Sequence, residues 1–253
     1  SKQSRGELWF GGGKFATSQK TPLQTPFSYV WTWAMTAEEW GKISTSSTAV
    51  LGTTGYGGDG FGLLKYGTSE TPKLDFYFWK NGSITNKDLW PGTYLQFFNG
   101  ANHVWAIVND GTKLLLIVDG SQIAETSSHS WTAAESTAGF GTFSGSTAAE
   151  HKMSRVMGFN FNIAAKDAGG NYTAPYSLAD YQNGVDVPPA LKDPLAASKC
   201  LLALENYTFE DGATQKIFDV SGNNNDATIT GNVAGTHDVS VKRLIDFITA
   251  QNS

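Results

Sequence analysis

At 253 residues the chain is long enough for one large domain with a sizeable core, or for one sandwich with a small appendage. Its formal charge of -5 comes with 18 lysines and arginines spread thinly, so the clustered basic patch that phosphate neutralisation needs is missing and nucleic acid is not an expected partner. No apolar run reaches the roughly 18 residues of a membrane-spanning helix, and the lone Cys200 leaves no internal disulfide to form.

The 28 glycines and 13% aromatic residues suit many short strands joined by tight turns. In chain order, Phe27-Ser-Tyr-Val-Trp-Thr-Trp33 reads as a strand whose aromatic face lies in a core. Thr36-Ala-Glu-Glu39 is a capping box that starts a single helical turn in a loop. Gly55-Tyr-Gly-Gly-Asp-Gly60 satisfies the G-x-G-x-x-G spacing, but a phosphate loop needs a helix N-terminus directly after it, and Phe61 to Tyr66 reads as a strand. That stretch is expected to be an inter-strand loop; a sharper reading has it bring Tyr56 and Asp59 to a ligand.

In Leu74-Asp-Phe-Tyr-Phe-Trp79 the two-residue period of a strand places Leu74, Phe76 and Phe78 on one face and Asp75, Tyr77 and Trp79 on the other. The first set reads as core. The second aligns an acid with two aromatics and forms the expected ligand platform. Trp40, Trp90 and Trp131 stand beside turn residues and read either as rim residues of a site or as loop anchors.

Two β-rich runs, Val104 to Val108 and Lys113 to Val118, are separated by Asn109-Asp110-Gly111, and Asp119-Gly120 follows. Gly and Asx tolerate positive φ, so these are hairpin turns of a β-meander. The prolines of Val187-Pro-Pro-Ala-Leu-Lys-Asp-Pro194 mark a linker or domain edge. The expected division is a β-sandwich over 1–187, a Pro-containing linker over 188–199 and a cassette over 200–253 that packs on the sandwich. A truncated second unit is the competing reading of the cassette. Near the end, Val241, Leu244, Ile245 and Ile248 fall at helical spacing behind Ser240 as N-cap.

These motifs resemble the concanavalin A-like, laminin-G-like β-sandwich family. His103, Val104, Val108, Asp110, Gly111, Leu114, Leu116, Val118, Asp119 and Gly120 stand where that family reads H-V-x-x-V-x-D-G-x-x-L-x-L-Y-V-D-G, with Ile117 in place of the usual aromatic. Phe27 to Trp33, Phe61-Gly-Leu-Leu64 and Met153-Ser-Arg-Val-Met-Gly-Phe-Asn160 resemble its other core strands. Phe218-Asp-Val-Ser-Gly-Asn-Asn-Asn-Asp-Ala-Thr-Ile-Thr-Gly231 resembles a D-x-S-G-N cassette that normally opens such domains, with Ala227 where Gly is frequent. The resemblance covers roughly residues 25–185 and implies an all-β, antiparallel two-sheet jelly roll, closed here by a short C-terminal extension ending in a helix. The architecture is also similar to tail and fibre proteins of bacteriophages and to carbohydrate-binding regions of gut and rumen bacterial enzymes.

Fold alone does not name a function. Glycoside hydrolysis needs two spaced carboxylates, which glucanases of this fold carry along one strand as E-x-D-x-x-E, and no such strand occurs. His103, His129, His151 and His237 are scattered and no H-E-x-x-H or G-x-S-x-G is present. The chain is therefore expected to bind rather than to cleave. The expected ligand is a polysaccharide or cell-surface glycan, held by Tyr77, Trp79, Asp75, Tyr56, Asp59, Trp90 and Trp40 through stacking and hydroxyl contacts. A structural or adhesion role in a phage tail or surface fibre, with homo-oligomers, is the alternative. Calcium is a further expectation, through Asp219, Asn223, Asn225 and Asp226, whose oxygens suit a hard cation although Asx-rich loops also form for backbone geometry alone. Either role places the chain outside the cell or on a virion.

Overall fold

The computed structural model describes residues 8–10, 15–18, 21–43, 48–54, 60–67, 72–80, 83–128, 130–131, 134–140, 151–170, 198–211, 213–231 and 237–238. The early strands are β1 (Leu8–Phe10), β2 (Phe15–Thr17), β3 (Thr21–Leu23) and β4 (Phe27–Trp33), followed by helix α1 (Ala37–Lys42). Then come β5 (Thr48–Thr54), β6 (Gly60–Gly67), β7 (Pro72–Lys80), β8 (Ser83–Leu89) and helix α2 (Pro91–Tyr94). The meander is β9 (His103–Asn109), β10 (Leu114–Val118) and β11 (Ser121–Glu125), with β12 (Ala134–Phe140) and β13 (His151–Phe159) after it. The last are β14 (Cys200–Asp211), β15 (Thr214–Asp219), β16 (Ala227–Thr230) and β17 (His237–Asp238).

Pairing runs antiparallel from β11 through β10, β9 and β4 to β13, and on to the first half of β14. From the other side it runs from β8 through β7, β6, β5, β12, β2 and β16 to β15. The second half of β14 pairs with β15, so this 12-residue strand links the two layers. The cassette residues thus enter the same hydrogen-bonded network as the sandwich strands. The 188–197 segment and the Ser240 to Ala250 helix expected from the sequence lie outside the described residues.

Alternation decides what fills the space between the layers. Phe27, Tyr29, Trp31 and Trp33 point from β4 into one core together with Trp105 and Ile107 of β9, and they meet Phe61, Leu63, Leu74, Phe76 and Phe78 from β6 and β7. The Phe27 ring stacks on Phe61 with centroids 5.7 Å apart, and Tyr29 lies 5.5 Å from the same ring. Each such ring removes on the order of 150–250 Å² from water, and together they are the largest source of cohesion in the fold. The reverse face of the first layer is buried too. Val30, Val104, Ala106, Val108, Met157 and Phe159 form a second cluster against which Phe161 and Ala164 pack.

Two details show how tightly the core is set. Gly158 of β13 lies opposite Tyr29, and a Cβ there would fall 2.9 Å from the tyrosine ring. On β6, Lys65 shares the inward phase of Phe61 and Leu63 and is fully buried. Its ammonium donates to the carbonyls of Trp40 and Ile43, the latter at 2.7 Å, and sits 5.1 Å from the Trp40 ring centroid. Burial pushes this lysine down to about 8. The side chain closes the C-terminal end of α1, whose N-terminus carries the reciprocal box Glu39 N–H to Thr36 Oγ1 (3.1 Å) and Thr36 N–H to Glu39 Oε2 (2.8 Å).

Gly158→Ala is expected to cost about 1–3 kcal/mol by forcing the Tyr29 ring aside, measured as a lower midpoint in denaturant unfolding. An unchanged midpoint would mean that the ring is not seated against this glycine.

Candidate functional site

Three groups of polar residues could carry chemistry, and their geometry separates them. The first is the meander. Asp119 (φ 49°) and Gly120 (φ 81°) both adopt positive φ between Val118 and Ser121, the geometry of a two-residue type I′ turn. The Asp119 carboxylate accepts the Val104 N–H at 2.9 Å and lies 2.6 Å from His103 Nδ1, while His103 Nε2 faces Asn99 Oδ1 at 3.1 Å. At the other turn, Asp110 Oδ1 accepts the N–H groups of Thr112 and Lys113, both at 2.7 Å. Partial burial opposes its charge, yet these donors hold the Asp110 carboxyl below its ordinary value. The motif residues of the meander are turn staples.

The second group is the Asx-rich cassette. Asp219 is 1% exposed. Its Oδ1 accepts the N–H groups of Ala203 (2.8 Å) and Ser221 (3.0 Å), and its Oδ2 accepts the Ser221 hydroxyl (2.8 Å) and the Asn225 N–H (3.0 Å). Asp226 Oδ1 accepts the N–H of Asp219, and the amides of Asn223 and Asn225 donate to the carbonyls of Cys200 and Leu201. The four residues expected to hold calcium do converge, but on protein donors and backbone carbonyls. Four hydrogens already point at the carboxylate that such a site would be built around, and no group of three or more potential metal-ligating His, Cys, Asp or Glu exists among the described residues. What the cassette does is fasten β15 to the start of β14. Cys200 beside it is buried, and burial followed by the nearby Asp219 raises its thiol far above the ordinary range, which favours the uncharged thiol.

The third group lies on the outer face of the second layer. Because Leu74, Phe76 and Phe78 are buried, Lys73 and Asp75 fall on the opposite face of β7. Strand register then brings Tyr66 of β6 opposite Lys73 and Asp88 of β8 opposite Asp75. Trp90 follows directly after β8. The Lys73 ammonium bonds Asp88 Oδ2 at 2.7 Å and lies 4.3 Å from the centroid of the Trp90 ring. Trp90 is 52% exposed and Tyr66 is 47% exposed, and they are the large hydrophobic side chains left in solvent among the described residues. The result is a row of aromatic, cation and aromatic across three neighbouring strands, about 10 Å wide at the usual strand spacing.

Of the ligand residues expected from the sequence, Asp75 and Trp90 stand on this face. Tyr77 and Trp79 occupy β7 at the same phase, with Tyr77 opposite Gly62 and Trp79 opposite Gly60; their side chains lie outside the described residues, as do Tyr56 and Asp59. Trp40 requires correction. It is 1% exposed, its indole N–H donates to the Tyr94 hydroxyl at 3.0 Å and its ring stacks on Phe98 at 4.8 Å. The capping box turns α1 so that Trp40 faces the core. Trp131 is a loop anchor wedged between Phe27 and Phe78 at 4.8 and 5.4 Å. Gly60 opens a strand, so no helix N-terminus stands where a phosphate loop would need one, and residues 55–59 lie outside the described residues. Tyr66, Lys73 and Asp88 escaped the sequence reading because their meeting depends on which residues pair across strands, although the exposed phase of β7 was a usable signal for Lys73.

Neither a scan against protein-family models nor a search of curated proteins finds a match. Solved structures do match. A Bacteroides ovatus protein assigned provisionally to carbohydrate binding aligns over 92% of this chain and 61% of its own, at 14% identity and a TM-score of 0.54. The LG4-5 domains of the mouse laminin alpha1 chain align over 61% of this chain and 41% of that one, at 15% identity and a TM-score of 0.44. The enzymatically active domain of tailspike protein 2 from bacteriophage CBA120 aligns over 74% and 27%, at 16% identity and a TM-score of 0.45. The chain thus spans about two fifths of the laminin structure and three fifths of the Bacteroides one. What this chain shares with the Bacteroides ovatus structure is the fold, an antiparallel β-sandwich.

The cassette geometry gives a two-part expectation. Asp219→Ala should lower stability by about 3 kcal/mol, since buried N–H groups lose a charged acceptor, whereas a chelator should leave the melting temperature of the parent unchanged. A fall in melting temperature on chelation would return these oxygens to a metal.

Proposed function

We propose that the chain binds a polysaccharide or cell-surface glycan through the outer face of β6, β7 and β8, and that it does so without cleaving it. The observation that carries this reading is the row formed by Tyr66, Lys73 and Trp90. Sugar rings present apolar C–H faces that stack on exposed aromatics, and their hydroxyls need donors and acceptors beside the stacking surface. Lys73, whose ammonium lies over the Trp90 ring, supplies donors, and its partner Asp88 an acceptor. The ammonium above the indole also holds the ring in place, which lowers the ordering cost of binding.

Asp75 and Asp88 lie directly opposite each other in the register, where like charges are destabilising, and Lys73 offsets this by pairing with Asp88. Two acids and two solvent-exposed aromatics on one sheet face break the local rules of a stable surface, which is where functional residues are expected. The lectin-like sandwich supports the same reading at the level of fold. A glycan-binding role implies work outside the cell or on a virion surface, with tail-fibre or glycan-degrading assemblies as the settings in which such a module would serve.

Trp90→Ala is expected to weaken glycan binding about thirtyfold, the equivalent of roughly 2 kcal/mol for an exposed anchor residue. Circular dichroism should remain that of the parent, and no reducing ends should appear in either protein's incubation with polysaccharide. Equal affinity in the folded variant would remove the site from this face, and release of reducing ends by the parent would make it an enzyme.

A further inference from the structure

The charges on the platform carry a statement about which glycans it accepts, resting on the reading that this face binds glycan. Among the described residues the face holds one cation, Lys73, paired with Asp88, while Asp75 has a carboxylate oxygen buried. That cation is already committed on two sides, to Asp88 Oδ2 at 2.7 Å and to the Trp90 ring at 4.3 Å. A carboxylate or sulfate arriving on a sugar would therefore meet a cation already neutralised by Asp88. To gain Lys73 it would have to displace Asp88 from its own ion pair, leaving that acid to repel the newcomer.

A neutral sugar meets no such obstacle. A hydroxyl is donor and acceptor at once, so two hydroxyls on adjacent ring carbons can engage the ion pair together, one accepting from Lys73 Nζ and the other donating to Asp88, without breaking the 2.7 Å contact. The apolar side of the same ring then lies toward the exposed Trp90 or Tyr66. We infer that the ligand is a neutral glycan whose hexose or pentose units carry free vicinal hydroxyls, and that glycans rich in uronic acid or sulfate are rejected.

The test measures binding of the parent chain, Trp90→Ala and Asp88→Asn by isothermal titration and affinity electrophoresis. The neutral probes are β-glucan, xyloglucan, galactomannan and starch; the acidic probes are polygalacturonate, alginate, hyaluronan and chondroitin sulfate. The expected result is binding confined to one or more neutral polymers, varying less than twofold between 50 and 500 mM salt because no net charge is neutralised. Trp90→Ala should weaken it about thirtyfold. Asp88→Asn should weaken neutral binding about tenfold and, by freeing Lys73, admit at least one uronate polymer. Acidic polymers bound as tightly as neutral ones, with both weakened in Trp90→Ala, would overturn the specificity while leaving the site in place. Binding that is indifferent to Trp90→Ala, or no binding to any polymer, would overturn the site and the specificity with it.

Discussion

The burial of Leu74, Phe76 and Phe78 against the aromatic face of β4 is the constraint from which the rest of the molecule follows. A strand has two sides, and once these three rings and branches are committed to the core, every intervening residue of β7 must face outward. A shift of one residue would bury Lys73, Asp75 and their neighbours and expose the core set, at a cost no surface interaction could offset. The phase of one strand thereby sets both the cohesion of the sandwich and the composition of its outer surface.

Three charged side chains among the described residues are directed inward, to holding turns and edges. Asp119 ties the start of β9 to the β10–β11 turn, Asp219 ties β15 to β14, and Lys65 ties α1 to β6. In each case a charged side chain reaches backbone groups that the ladder leaves without partners, which is the usual way a fold of short strands satisfies its loops. Asp219, a residue type that would suit a metal, is used in this way.

How much of this could be read from the amino-acid sequence depended on the range of the interaction involved. The meander was legible because its turns are encoded by adjacent residues: Asp119 and Gly120 can take positive φ and few other pairs can. The inward phase of β4 and β7 was legible for a similar reason, since alternation is local. Trp40 is less legible because its neighbours speak for a surface loop, whereas its indole is held in the core by Tyr94, 54 positions away, and by the Phe98 ring. Tyr66 was passed over as the tail of an apolar strand. Its exposure, and its alignment with Lys73 and Trp90, arise from register across β6, β7 and β8, which composition does not specify. The Asp219 cassette was recognisable as a motif, but its role as a staple depends on the Ala203 N–H lying within reach, and that is a fact of the third dimension.

The central claim is that an exposed indole on the second layer, at Trp90, is where glycan meets protein. It is tested most directly by following the indole N–H resonances of tryptophan-labelled protein during titration with an oligosaccharide of a bound polymer. The Trp90 signal is expected to move in proportion to occupancy while those of the buried Trp31, Trp33, Trp40 and Trp105 stay still. A bound oligosaccharide that leaves the Trp90 resonance in place would contradict the claim.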